Sequence, residues 1–234
     1  MAAAKHGISW GNSLGIGAIN LVHLRDGGFA FGDRVLDLGC GLGFVVGNLS
    51  APLKVGVDLY RSGQAVPKTF QNVMFLGGDA GILPLKDESF DTVLCLDVIE
   101  HVDDPRAVAC EVFRVLKKRG SAYFSTPVRG VNFLPNSERY TRLLHEHWGH
   151  KRLYSREEFI SLLEGAGFTG VRTEDYMHLT TRVFLYLYYA ATSLSGSVDG
   201  RLARAAERLL YGASRVDEKI RFWSAFATMA QAKK

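Results

Sequence analysis

Five acids and a run of alternating glycines hold most of the chemistry this chain could do. In VLDLGCGLG, residues 35–43, Asp37 closes an apolar run and Gly39, Gly41 and Gly43 follow at every second position, around Cys40 and Leu42. Glycine adopts positive φ freely and puts no Cβ between its backbone and a neighbour. Three in alternation are therefore expected to let a ligand lie against the main chain. A helix opening at about 42–50 would add its unbonded N–H groups. Asp58 ends the next apolar run, LKVGVD, where a carboxylate can accept hydrogen bonds from ribose hydroxyls. Two ligand classes use such a turn, dinucleotides and S-adenosylmethionine. The dinucleotide spacing G-x-G-x-x-G is absent, but Gly41-x-Gly43-x-x-x-Gly47 is a loose variant, so the glycines leave both classes open.

Further along, Asp79 follows Gly77-Gly78 and taken alone reads as a turn acid. His101 follows Glu100 just past a fourth apolar run, where it could serve as a base or simply tie down the next helix. The stretch HEHWGH, 145–150, surrounds Trp148 with His145, Glu146, His147 and His150. It misses the zinc pattern H-E-x-x-H because Gly149 stands where the second histidine belongs, so no metal is expected. It reads better as a loop closing over an acceptor. Cys40, Cys95 and Cys110 have no pair spacing and suggest buried thiols in a reducing compartment.

These residues need a frame. Strands are expected at 34–38, 53–58, 73–78, 91–96, 120–126, 168–176 and 224–232, each short and apolar as buried strands are. Helices are expected at 104–118, after an acid pair and Pro105, and at 155–166, where Ser155 and Glu158 form a capping box. Such alternation implies an α/β fold with a doubly wound, mostly parallel seven-stranded sheet, whose ligands bind at the carboxyl ends of the strands. The 234 residues are read as a single domain, with 177–222 as a helical insertion or lid before the last strand.

In that insertion Arg201, Arg204, Arg208, Arg215 and Lys219 fall within about 60° on a helical wheel, and Leu202, Leu209, Val216 and Ile220 occupy another sector. Two uses are open: a lid packed on the core, or contact with a membrane surface or lipid-like acceptor through 183–221, helped by Phe184, Tyr186, Tyr188 and Tyr189. A net charge of +4 gives no reason to expect nucleic acid. The N-terminus lacks the apolar stretch of a signal peptide, and the longest apolar run, 183–194, is too short to span a bilayer. A cytoplasmic protein is expected, with a peripheral membrane position left open.

In order along the chain, VLDLGCGLG, VGVDLY, GGDAGILPLKDESFDTVLCLDVIEHVDDP, VLKKRGSAYFSTP and YSREEFISLLEGAGF resemble the successive motifs of class I S-adenosylmethionine-dependent methyltransferases. They cover roughly residues 30–176, and the chain is most similar to the small-molecule enzymes of ubiquinone and menaquinone synthesis. The resemblance implies S-adenosylmethionine as cofactor. It places Gly39, Gly41 and Gly43 along the methionine and ribose, and Asp37 toward the methionine ammonium. Asp58 with Leu59 falls at the ribose, Asp79 with Ala80 at the adenine amino group, and Leu96 with Asp97 at the methionine end beside the acceptor. Cys40 is a small residue packed within this binding turn and not a nucleophile. His101 and His150 are the candidate bases. Related enzymes carry acids and a histidine resembling Asp97, Glu100 and His101 that are sometimes linked to magnesium. The implied function is methyl transfer to a small-molecule or lipid-like oxygen, nitrogen or carbon acceptor. An NAD(P)-dependent oxidoreductase, a nucleic-acid methyltransferase and a non-catalytic binding module are the competing readings.

Overall fold

In the computed structural model, residues 14–59, 70, 72–129, 149–177, 181, 183, 184, 187, 201–220 and 227–234 are described. Seven strands form one sheet: β1 (Arg34–Leu38), β2 (Leu53–Asp58), β3 (Met74–Gly77), β4 (Phe90–Leu96), β5 (Leu116–Pro127), β6 (Thr169–Tyr176) and β7 (Ala227–Lys233). Their order across the sheet is β3-β2-β1-β4-β5-β7-β6. The neighbouring pairs from β3 to β5 are parallel, and β7 runs antiparallel to both β5 and β6. The chain reverses direction across the sheet at β1, and the neighbouring ends of β1 and β4 form the switch point where ligands of such sheets bind.

The strands alternate their side chains between two cores, as a period of two requires. Leu36, Leu38, Val93, Cys95 and Phe124 face one side. There they meet helix α3 (Pro105–Val115) through Val108 and Val112, and helix α4 (Arg156–Gly165) through Phe159 and Leu163. Val35, Leu94, Leu96 and Tyr123 face the other side. They pack on helix α1 (Leu14–Asp26), the short helix α2 (Phe44–Gly47) and helix α5 (Arg201–Ile220). Caps fix where the first pair begins. Asp104 accepts from the Ala107 N–H at 3.0 Å with Pro105 in the first turn, and Ser155 and Glu158 make the reciprocal capping box. Each cap contributes about 1 kcal/mol.

Several boundaries differ from the sequence reading. Helix α3 ends at Val115 and not at 118, because Leu116 is fully buried and enters β5 opposite Phe90. Lys117 to Gly120 form a bulge with Arg119 at φ 63°, before Ser121 resumes pairing with Thr92. The helix expected over 42–50 is a single turn, α2. Helix α1 was not expected at all. Residues Ala18 to Leu24 are all buried, so this helix shows no polar face and no 3.6-residue rhythm.

Between β6 and β7 lies α5, which packs against α1 and buries Leu210, Ala213 and Ser214. Leu209 and Val216, in the apolar sector of the helical wheel, are 57% and 45% exposed. The buried face is thus rotated by one residue from the sector read in the sequence. Arg208 and Arg215 are exposed beside it, and Arg215 pairs with Asp26 of α1 at 3.5 Å. Val183 and Leu187 are also exposed, whereas Phe184 packs on the α1 side of the core. Tyr186, Tyr188 and Tyr189 lie outside the described residues. Among the described residues no helix is long and apolar enough to cross a membrane.

Candidate active site

The glycine turn hangs from β2. The Gly39 and Cys40 N–H groups donate to the Val57 carbonyl at 2.8 and 3.2 Å, and the Gly41 N–H donates to Asp58 Oδ2 at 2.6 Å. Gly39, Gly41 and Gly43 all have left-handed backbones, with φ of 76°, 53° and 78°. A Cβ at Gly39 would lie 2.3 Å from Val98, and one at Gly43 would lie 2.4 Å from Phe75. The outer two glycines therefore make room for the protein's own side chains, which revises the expectation that all three clear space for a ligand. Behind the turn, buried Lys54 donates to the Gly47 and Leu49 carbonyls at 3.2 and 3.1 Å, satisfying the end of α2. Burial lowers its pKa. Cys40 is buried against Gly56, in keeping with a packing role.

Asp37 lies in β1 between Gly56 and Leu94 of the flanking strands and is 3% exposed. Burial pushes its carboxyl up to about 7, partly offset by the Val46 N–H and reinforced by the charge of Asp58. A buried carboxylate is costly unless a cation or donor joins it. Asp58 commits one oxygen to Gly41, so a ribose would draw on the other. Asp79 is exposed, and its Oδ1 accepts from the Gly81 N–H at 2.8 Å, the turn role that the sequence alone favoured. Ala80 is buried next to it. Leu59 and Ile82, just past the carboxyl ends of adjacent strands β2 and β3, are 64% and 80% exposed, and Leu42 of the glycine turn is 38% exposed. Large apolar side chains left open around an acid and a backbone turn suit a flat aromatic ligand with a ribose attached. The residues present thus fit S-adenosylmethionine. Ile82 was missed in the sequence because nothing local distinguishes it from a core residue.

At the end of β4, Leu96 is buried and Asp97 is half-buried with a left-handed backbone, φ 53°. Asp97 Oδ2 accepts from Asn20 Nδ2 at 2.8 Å, and Oδ1 accepts from Ser125 Oγ at 3.0 Å. Burial raises its carboxyl, and those two hydrogen bonds together with nearby His101 partly offset the rise. Neither Asn20 nor Ser125 was read from the sequence as part of a site.

Beyond Asp97 the loop carries Glu100 and His101. His101 Nδ1 lies 3.2 Å from the Gly149 carbonyl. A carbonyl only accepts, so this nitrogen holds the ring proton and Nε2 presents a lone pair when the ring is neutral. Burial favours that neutral form by lowering the pKa. His150 meets His101 edge-on with ring centroids 4.7 Å apart. Glu100 is fully buried. Burial and the charge of Asp97 push its carboxyl well above the usual range. Thr126 approaches it, yet no hydrogen bond of normal geometry reaches either carboxyl oxygen among the described residues. The segment after Gly149 is pinned to this loop by the Lys151 N–H on the Glu100 carbonyl at 2.8 Å and by a Lys151–Asp103 ion pair. His145, Glu146, His147 and Trp148 lie outside the described residues.

Glu100, His101 and His150 bring one ligand atom each within 4.8 Å of one another. The set differs from the acid–acid–histidine arrangement linked to magnesium, because both Asp97 oxygens are engaged elsewhere. Two imidazoles and one carboxyl do not make the oxygen-rich shell that magnesium takes. Magnesium does not fit these donors, and no step is derived through it.

The family model described as a methyltransferase domain matches residues 36–124, from β1 into β5. A ubiquinone biosynthesis O-methyltransferase of Pseudomonas fluorescens is 35% identical over 103 residues, covering 41% of this chain and 44% of that one. A probable S-adenosylmethionine-dependent methyltransferase of Mycolicibacterium smegmatis is 34% identical over 140 residues, covering 58% and 52%. The chain thus spans about half the length of the curated relatives it matches. The crystal structure of a Thermotoga maritima S-adenosylmethionine-dependent methyltransferase, a possible histamine N-methyltransferase, superposes with a TM-score of 0.64 at 20% identity, covering 96% of this chain and 93% of that one. That likeness extends the shared fold beyond the matched residues. The glycine turn, Asp37, Asp58, Asp79 and Asp97 all fall within residues 36–124, the stretch that matches the methyltransferase domain model.

Proposed function

We propose that the protein transfers the methyl group of S-adenosylmethionine to a small-molecule or lipid-like acceptor. One observation carries the reading: a turn of three left-handed glycines, held to Asp58 by the Gly41 N–H, beside the buried acid Asp37 at the switch point of the sheet. S-adenosylmethionine supplies an already activated methyl on a sulfonium, so the chain's own residues chiefly bind and orient. Asp37 attracts the methionine ammonium, and Gly39, Cys40, Gly41 and Gly43 line the methionine and ribose. Asp58 and Leu59 hold the ribose and one adenine face. Ile82, with Asp79 and Ala80, borders the base. Leu96 and Asp97 border the methyl end.

His101 is the better of the two candidate bases, because its proton is committed to Gly149 and its Nε2 lone pair is presented beside His150. It would take the proton of a hydroxyl or ammonium acceptor as the methyl arrives. A second reading has a specific observation behind it: the Glu100–His101–His150 set could instead hold a first-row transition dication.

A lipid-like acceptor, and a peripheral place at the membrane from the cytoplasmic side, draw support from the outward face of α5. There Arg208 and Arg215 flank exposed Leu209 and Val216. The ubiquinone-pathway relatives are consistent with a small, apolar acceptor.

The test is calorimetry with S-adenosylmethionine, S-adenosylhomocysteine and NAD(P)H, followed by a screen of phenolic, amine and lipid acceptors with isotope-labelled S-adenosylmethionine, read by mass spectrometry. Binding of the two adenosyl compounds and a labelled product are expected. Binding of NAD(P)H alone overturns the reading in favour of an oxidoreductase.

A further inference from the structure

The N-terminal helix α1 is latched to the carboxyl edge of the sheet by one buried amide. Asn20 is 3% exposed. Its Nδ2 donates to Asp97 Oδ2 at 2.8 Å, and its Oδ1 accepts from the Tyr176 hydroxyl at 2.8 Å, so the side chain joins the ends of β4 and β6. One turn along, His23 stacks on the Tyr176 ring with centroids 4.5 Å apart. On the far side of Asp97, Ser125 Oγ donates to Oδ1 and accepts from the Asp97 N–H, both at 3.0 Å. The bonds from Tyr176 to Asn20, from Asn20 to Asp97 and from Ser125 to Asp97 Oδ1 all run toward the Asp97 carboxylate. That carboxylate sits on a left-handed, non-glycine backbone at φ 53°, a conformation that persists where its surroundings hold it.

From this we infer that Asn20 is a positioning residue of the transfer site: it fixes the Asp97 carboxylate from α1, outside the matched domain, and so makes α1 part of the binding machinery. The inference rests on the reading of Asp97 as bordering the methyl end of S-adenosylmethionine. Asn20 touches neither cofactor nor acceptor in this account. Its effect passes through Asp97, whereas a purely structural amide would affect only how firmly α1 is held. A leucine at 20 would fill the space but remove the amide's bonds to Asp97 Oδ2 and the Tyr176 hydroxyl.

A double-mutant cycle separates the two roles. Wild type, Asn20→Leu, Asp97→Asn and the double variant are titrated with S-adenosylhomocysteine by calorimetry, and their melting temperatures are recorded. Asn20→Leu should weaken binding by about 10- to 100-fold, the scale of a hydrogen bond to a charged group. In the Asp97→Asn background the same change should cost less than about twofold, because its route is already cut. Asn20→Ser, polar but too short to reach Asp97, should repeat the loss if the leucine variant does not fold. Multiplicative losses, or unchanged affinity with a lowered melting temperature, overturn the inference and leave Asn20 structural. If wild type itself fails to bind, the methyl-transfer reading falls and takes this inference with it.

Discussion

Two side chains carry the residue-scale argument. Asp37 is buried with its carboxyl raised to about 7, whereas the unfolded chain would release that proton near 3.8. Between those values the folded state holds a proton that the unfolded state does not, so this group lowers stability as pH rises toward 7. A bound ammonium favours the ionised acid and reverses the preference. Affinity for S-adenosylmethionine should therefore fall by up to about tenfold per unit as pH drops below 7, and level off above it. Asp37→Asn should flatten that profile, bind weakly at every pH, and melt higher than wild type at pH 8 without ligand. Calorimetry and thermal melts across pH 5.5–8.5 check both signs. For His101, replacement by Gln removes the Nε2 base and should cut turnover about 10²–10⁴-fold with affinity for S-adenosylhomocysteine nearly unchanged. Activity should survive a chelator. Loss of activity on chelation, restored by zinc or manganese, would assign Glu100, His101 and His150 to a metal instead.

At the scale of elements, the glycine turn and α5 show how far local pattern reaches. The turn was legible because all its parts lie within nine residues and each glycine has a backbone reason to be there. What it clears was not legible, since Val98 and Phe75 reach it from distant segments. In α5 the leucines at 209 and 210 are neighbours in sequence, and a wheel cannot say which faces the core. Contact with α1 settles it for Leu210 and leaves Leu209 and Val216 outward beside Arg208. Basic residues near an anionic surface contribute about 1 kcal/mol each, and salt screens them within a Debye length. The protein should thus sediment with vesicles of anionic phospholipid at low salt and be released at high salt. Arg201→Glu, Arg204→Glu and Arg208→Glu together should abolish sedimentation without changing the thermal melt. A wild type that ignores such vesicles at low ionic strength leaves α5 as a lid.

Across the whole molecule, the sheet was legible because buried parallel strands are short, continuous apolar runs between helices. The N-terminal helix was not, because burial on all sides erased its period. Nor were Asn20 and Ser125, which stand 77 and 28 residues from the acid they hold. Sequence spacing records chemistry when the groups are neighbours along the chain, and not when the fold alone brings them together. The order of the strands has a further consequence, for how the protein is made. The seventh strand leaves the ribosome after the other six, yet it lies inside the sheet, with the fifth on one side and the sixth on the other. Until it arrives, the sixth strand and the Tyr176 hydroxyl at its end have no sheet to join. The nascent chain then carries two unpaired strand edges, a template for pairing with other chains. The Tyr176–Asn20–Asp97 latch can close only after synthesis has passed Ala227, so the part of the site that depends on it is assembled after the glycine turn.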